Sequence, residues 1–167
     1  MIDPMGGGFT DGLDPSVYAG MGNIVGDVHF YGWAANFSSD QATVNQSLAG
    51  FVSKAKAMFN GAPVIIGEYG DSTTGQGIDP NWRQVINAVH QAAQSGQIAG
   101  SAAWAFSGSL PADNLLSGNG LSALGELVAS GMQAVAGLCP SALPGAVVSL
   151  VTAVAPAAVN AITSGVQ

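Results

Sequence analysis

Residues 63–70 read Pro-Val-Ile-Ile-Gly-Glu-Tyr-Gly. A proline opens the run, bulky aliphatic residues fill 64–66, and a carboxylate follows at Glu68. A continuous apolar stretch bounded by turn residues reads as a strand of a parallel sheet covered on both faces. The strand is expected over 63–67, ending at Glu68. Asn60-Gly61 is a stop signal before it, and the Gly- and Thr-rich stretch 71–80 after it reads as loop.

The same kind of unit recurs on both sides. Upstream, Ile24 to Trp33 is rich in β-branched and aromatic residues and predicts a buried strand with a polar, aromatic end. Val44, Leu48, Phe51, Val52, Ala55 and Phe59 recur at helical spacing, so a helix is expected over 40–59. Ser38, Ser39 and Asp40 supply capping groups before it. Downstream, Trp82, Val85, Ile86 and Val89 predict a helix over 80–95, ending at Gly96. Residues 98–106 predict another strand, and Leu121, Leu124, Leu127, Val128 and Val135 predict a helix over 121–138. Strands alternating with helices argue for parallel α/β units.

The ends are less regular. Met1 to Met5 fits a short strand end, and Asp14-Pro15 fits the start of a one- or two-turn helix. Residues 139–167 form an uncharged apolar tail, expected to be helical and interrupted by Pro156. Its unbroken part is too short for a membrane span of about 20 residues. Cys139, the single cysteine, reads as a buried small hydrophobe.

Charge narrows the function. Of 167 residues only 8% are charged, the net charge is −7, and the cations are Lys54, Lys56 and Arg83. Nucleic acid needs clustered Lys and Arg against its phosphates, and an anionic membrane surface needs the same. Both are excluded as partners, whereas a neutral polymer such as a polysaccharide is not. No cationic-then-apolar leader is visible at the N-terminus. No cofactor is expected. Asp27 and His29 alternate on one strand without a third convergent ligand, so no metal is expected either.

Residues with chemistry gather at expected strand ends: His29, Tyr31 and Trp33, then Glu68 and Tyr69, then Trp104. In a parallel βα barrel such ends meet on one face, where active sites are built. Indole faces stack on sugar rings, and a carboxylate can attack an anomeric carbon. Each has a plainer reading. Glu68 could be a solvated loop acid, His29 a satisfied core histidine, and Trp104 ordinary core. Trp82 on a helical apolar face reads as core, and His90 in mid-helix as structural or exposed.

Asp-Val-His-Phe-Tyr at 27–31, Pro-Val-Ile-Ile-Gly-Glu-Tyr-Gly at 63–70 and Gly-Ser-Ala-Ala-Trp-Ala-Phe at 100–106 resemble strands six, seven and eight of glycoside hydrolase family 5, the retaining cellulase and mannanase barrels. Asp113-Asn114-Leu115-Leu116 and Gly118 to Ser122 are similar to the segment leading to that family's last helix. The resemblance covers about residues 1–135. It implies an incomplete (β/α)8 TIM barrel, strands five to eight with their helices, in residues 1–138. It implies a secreted hydrolase of β-1,4-linked polysaccharide. Glu68 matches the nucleophile, and Tyr31 would hydrogen-bond it. His29 would contact sugar hydroxyls, Trp104 matches the aromatic platform, and Trp33 could extend it.

One part of the pattern is missing. Retention needs a second carboxyl group about 5–5.5 Å away, and the family supplies it as the Glu of an Asn-Glu pair. This chain has no Asn-Glu, and Glu126, its other glutamate, falls on the last expected helix. Asp27 shares the strand face of His29 but would lie deeper. A lone chain is therefore expected to be weak or inactive. The alternatives are a non-catalytic carbohydrate-binding remnant and an assembly role, in which a homodimer or a complementary half-barrel pairs the open sheet edges.

Overall fold

The computed structural model describes residues 14–71, 79–104, 114–117 and 120–137. The expected strand at Met1 to Met5, the apolar tail with Cys139 and most of the loop after Asp71 lie outside these residues. The described part is a mixed α/β structure. Three parallel strands, β1 (Gly26–Phe30), β2 (Val64–Gly70) and β3 (Gly100–Trp104), lie in the order β1-β2-β3. The helices are α1 (Gln41–Met58), α2 (Trp82–Gln94) and α3 (Ala123–Gly137). A small antiparallel pair, β4 (Leu116–Ser117) and β5 (Gly120–Leu121), precedes α3 and was not expected from the sequence. The described strands do not close into a barrel.

The helix boundaries follow from local chemistry. Asp40 caps α1: its Oδ2 accepts from the Thr43 backbone N–H at 2.8 Å and from the Thr43 hydroxyl at 2.6 Å. This satisfies donors that have no partner within the helix, and the same bonds hold the Asp40 carboxyl below its ordinary pKa. Beyond Phe59, Asn60 and Gly61 take φ of 54° and 81°. That left-handed pair ends the helix and turns the chain into β2. A 3-10 helix at Pro15–Tyr18, capped by Asp14, stands where the sequence places a short helix start.

The core lies between the sheet and the helices. Val44, Leu48, Val52 and Ala55 of α1 are buried at helical spacing. So are Val85, Ile86, Ala88, Val89 and Ala92 of α2. They meet Val28, Phe30, Val64 and Ile66, which are fully enclosed. Each large aliphatic side chain buried this way contributes about 1.5–3 kcal/mol. Phe30 packs edge-on against Phe51 with centroids 5.9 Å apart. Trp82 is only partly buried at the rim of this core, and the Arg83 guanidinium lies 4.3 Å from its ring centroid.

With so few charges, amides join α1 to α2. Gln41 donates to the Gln84 carbonyl at 3.0 Å, Asn45 to Gln91 Oε1 at 2.8 Å, and Gln84 to the Ser39 carbonyl at 3.1 Å. Lys56 Nζ donates to the Gln97 carbonyl at 2.8 Å. No helix among the described residues is long and apolar enough to cross a membrane.

Two expectations need correction. The strand read over 24–33 stops at Phe30, because the chain turns at Gly32 into a 3-10 helix at Gly32–Ala35. Tyr31 and Trp33 therefore sit after the strand. Gly32 is walled in by the side chains of Asn81, Asp79 and Phe37, which leaves no room for a β-carbon there. The strand read over 63–67 instead continues to Gly70, so Glu68 and Tyr69 lie within it.

Candidate functional site

Register brings the candidate residues together. Asp27 pairs with Ile65, Val28 with Ile66, His29 with Glu68, and Phe30 with Tyr69. Between Val28 and His29 the register shifts, so β2 carries one residue more than β1. A similar shift against β3 falls between Ile66 and Tyr69. Such a bulge reverses the alternation of side chains beyond it. Val28, Phe30, Val64, Ile66 and Tyr69 consequently face the helices. Asp27, His29 and Glu68 share the opposite face.

On that face a carboxylate is held from two sides. The Tyr31 hydroxyl donates to Glu68 Oε2 at 3.1 Å. His29 Nδ1 lies 3.2 Å from the same oxygen. With Glu68 ionised, that nitrogen carries the proton it shares with the carboxylate. Among the described residues neither group engages Oε1. The Glu68 side chain is 29% exposed and that of His29 is 11% exposed, so the carboxylate is reachable while its partner is fixed.

The aromatic residues divide. Tyr31 and Trp33 lie side by side, with centroids 6.5 Å apart and planes tilted by 37°. Trp104 pairs with Gly70 on the strand beside Glu68 and is 42% exposed. By register Trp104 lies on the Glu68 face. Asn114 Oδ1 accepts from the Leu116 backbone N–H at 3.0 Å, which makes it a turn residue.

Behind the site lies a buried pair that the sequence did not reveal as such. The Tyr69 hydroxyl is 3.0 Å from His90 Nε2. The two rings meet edge to face, with centroids 5.7 Å apart and planes at 85°. Burial pushes the Tyr69 phenol up to about 12, against an opposing hydrogen bond from Ser101. Burial also holds the His90 imidazole below its ordinary value. The one sequence signal for this arrangement was Gly67, an isolated glycine inside an apolar strand, which marks a bulge or a close approach.

Among the described residues no group of three His, Cys, Asp or Glu side chains gathers as a metal site. Asp71 and Asp79 are buried near the end of β2, where Asp71 Oδ1 accepts from the Asp79 backbone N–H at 2.6 Å. That bond ties together the two ends of the intervening loop.

No protein-family model, curated protein or solved structure matches this chain.

Proposed function

We propose that this chain carries the nucleophile half of a retaining glycosidase site, on part of a (β/α)8 barrel, and acts on β-1,4-linked polysaccharide. One observation carries the reading: Tyr31 and His29 converge on a single oxygen of a partly exposed glutamate. Two hydrogen-bonding partners on one carboxylate oxygen fix the direction of the group. With Oε2 anchored, Oε1 is the oxygen left to react.

The chemistry follows in two steps. Oε1 bonds to the anomeric carbon while the glycosidic bond breaks, and its electron pair leaves with the departing oxygen. Water then attacks the same carbon and releases a proton to solvent, and the Glu68 carboxylate departs unchanged. Trp104, exposed on the same face, offers an indole for the sugar ring to stack on. The departing oxygen needs a proton in the first step, and among the described residues no second glutamate shares the Glu68 face. Glu126 is exposed on α3, on the helix side of the sheet. General acid catalysis contributes about 10²–10⁴-fold, so natural linkages are cleaved slowly without a second carboxyl group.

The exposed Trp104 also suits a second reading, a carbohydrate-binding half-barrel without chemistry. The two differ on a dinitrophenyl cellobioside, whose leaving group needs no proton. The first reading expects wild-type turnover that Glu68→Ala abolishes, with cello-oligosaccharide binding kept. Binding without turnover in both proteins selects the second reading. Neither binding nor turnover contradicts both.

A further inference from the structure

The bulge in β2 decides what Glu68 can do. In a regular strand Glu68 would follow Val64 and Ile66 onto the helix-facing side, where those residues are fully enclosed. A carboxylate there would be buried in an apolar layer at large cost. The extra residue between Ile66 and Tyr69 turns Glu68 to the other face and puts Tyr69 in its place.

A bulge leaves the ladder locally unpaired, so something beyond the ladder must select it. Tyr69 reaches α2, where its hydroxyl meets His90 Nε2 at 3.0 Å. On the same side it is hydrogen-bonded to Ser101 of β3. His90 is held in turn by α3. Gly131 lies so close to the imidazole that a β-carbon there would overlap the ring. The tyrosine and the histidine are both buried, and they hydrogen-bond each other. If β2 slipped by one residue, Tyr69 would leave His90 and a carboxylate would arrive in its place.

We propose that Tyr69 and His90 are positioning residues for Glu68, acting through the bulge rather than by touching substrate. The value of this to catalysis rests on the reading of Glu68 as nucleophile, but the positioning itself does not. The chain has only two glutamates, Glu68 and Glu126. Carbon-13 labelling of glutamate carboxyl groups therefore gives two resonances, with exposed Glu126 as the internal reference.

The experiment compares wild type with Tyr69→Phe, which removes one oxygen and keeps the ring. His90→Gln, which keeps a polar group in the same space, is the milder partner and serves alone if Tyr69→Phe does not fold. In Tyr69→Phe the Glu68 resonance is expected to move or split into two populations, while that of Glu126 stays. His90→Gln is expected to retain part of the wild-type signal. The rate of covalent trapping at Glu68 by an activated fluoroglycoside is expected to fall about 10²-fold in Tyr69→Phe, the scale of a misplaced reacting group. A folded variant with an unmoved Glu68 resonance overturns the proposal and leaves the pair as packing alone. A moved resonance in a protein that is never trapped supports the positioning and contradicts the glycosidase reading.

Discussion

Gly67 lies against the carboxylate of Asp27 so closely that a β-carbon on it would overlap the carboxyl oxygens. The two residues sit on neighbouring strands just beneath His29 and Glu68. The bulge can pass Asp27 only because Gly67 has no side chain. Gly67→Ala is therefore expected to destabilise the fold by about 1–3 kcal/mol, the usual cost of overpacking. Urea unfolding checks this, and an unchanged midpoint would count against the close approach.

Tyr31→Phe removes the hydroxyl donated to Glu68 Oε2. A hydrogen bond to a charged group is worth about 1.5–3 kcal/mol, or roughly 10–100-fold in rate. Trapping at Glu68 is expected to slow by that factor, with little change in cello-oligosaccharide affinity. Single-turnover mass spectrometry measures the rate, and calorimetry measures the affinity.

His90 makes stability depend on pH. Burial lowers its folded-state value below the ordinary 6.5. As the pH falls through 6.5, the unfolded chain binds a proton that the folded chain refuses. Stability is then lost progressively until the folded value is reached, and it levels off below that. Among the described residues the imidazole meets the Tyr69 hydroxyl from β2 and Gly131 from α3, and neither carries charge. Melting curves from pH 7.5 to 5 are expected to show this slope, and His90→Gln is expected to flatten it.

Trp104→Ala separates platform from core. The indole is 42% exposed at the end of β3, so its loss is expected to shift the unfolding free energy by less than about 0.5 kcal/mol. If sugars stack there, oligosaccharide affinity falls by about tenfold, as for loss of an aromatic contact of about 1.4 kcal/mol. A large loss of stability would make Trp104 a core residue.

Much of the architecture was legible in the sequence. The apolar spacing of Val44, Leu48 and Val52, and of Val85, Ile86 and Val89, locates both long helices, because burial on one face leaves a helical period in the sequence. The group of His29, Tyr31 and Glu68 was also visible as a motif, and Trp104 lies exposed at the end of β3. The bulge was not read. A one-residue change of register leaves composition untouched, and Gly67 alone does not say which neighbour it must clear. For that reason Tyr69 looked like a companion of Glu68, although it points the other way. The sequence leaves His90 between structural and exposed, because Tyr69 comes within its reach only when β2 and α2 pack together. Tyr31 and Trp33 read as strand because aromatic content outweighed the turn at Gly32.

The most direct test of the central claim uses a 2-fluoro-glycoside with an activated leaving group, followed by intact mass and peptide mapping. Such a reagent forms the glycosyl ester without acid assistance and hydrolyses slowly, so it interrogates the nucleophile alone. The account predicts a single adduct, on Glu68, absent from Glu68→Gln. A folded sample that takes up no label, or takes it up at another residue, would contradict the account.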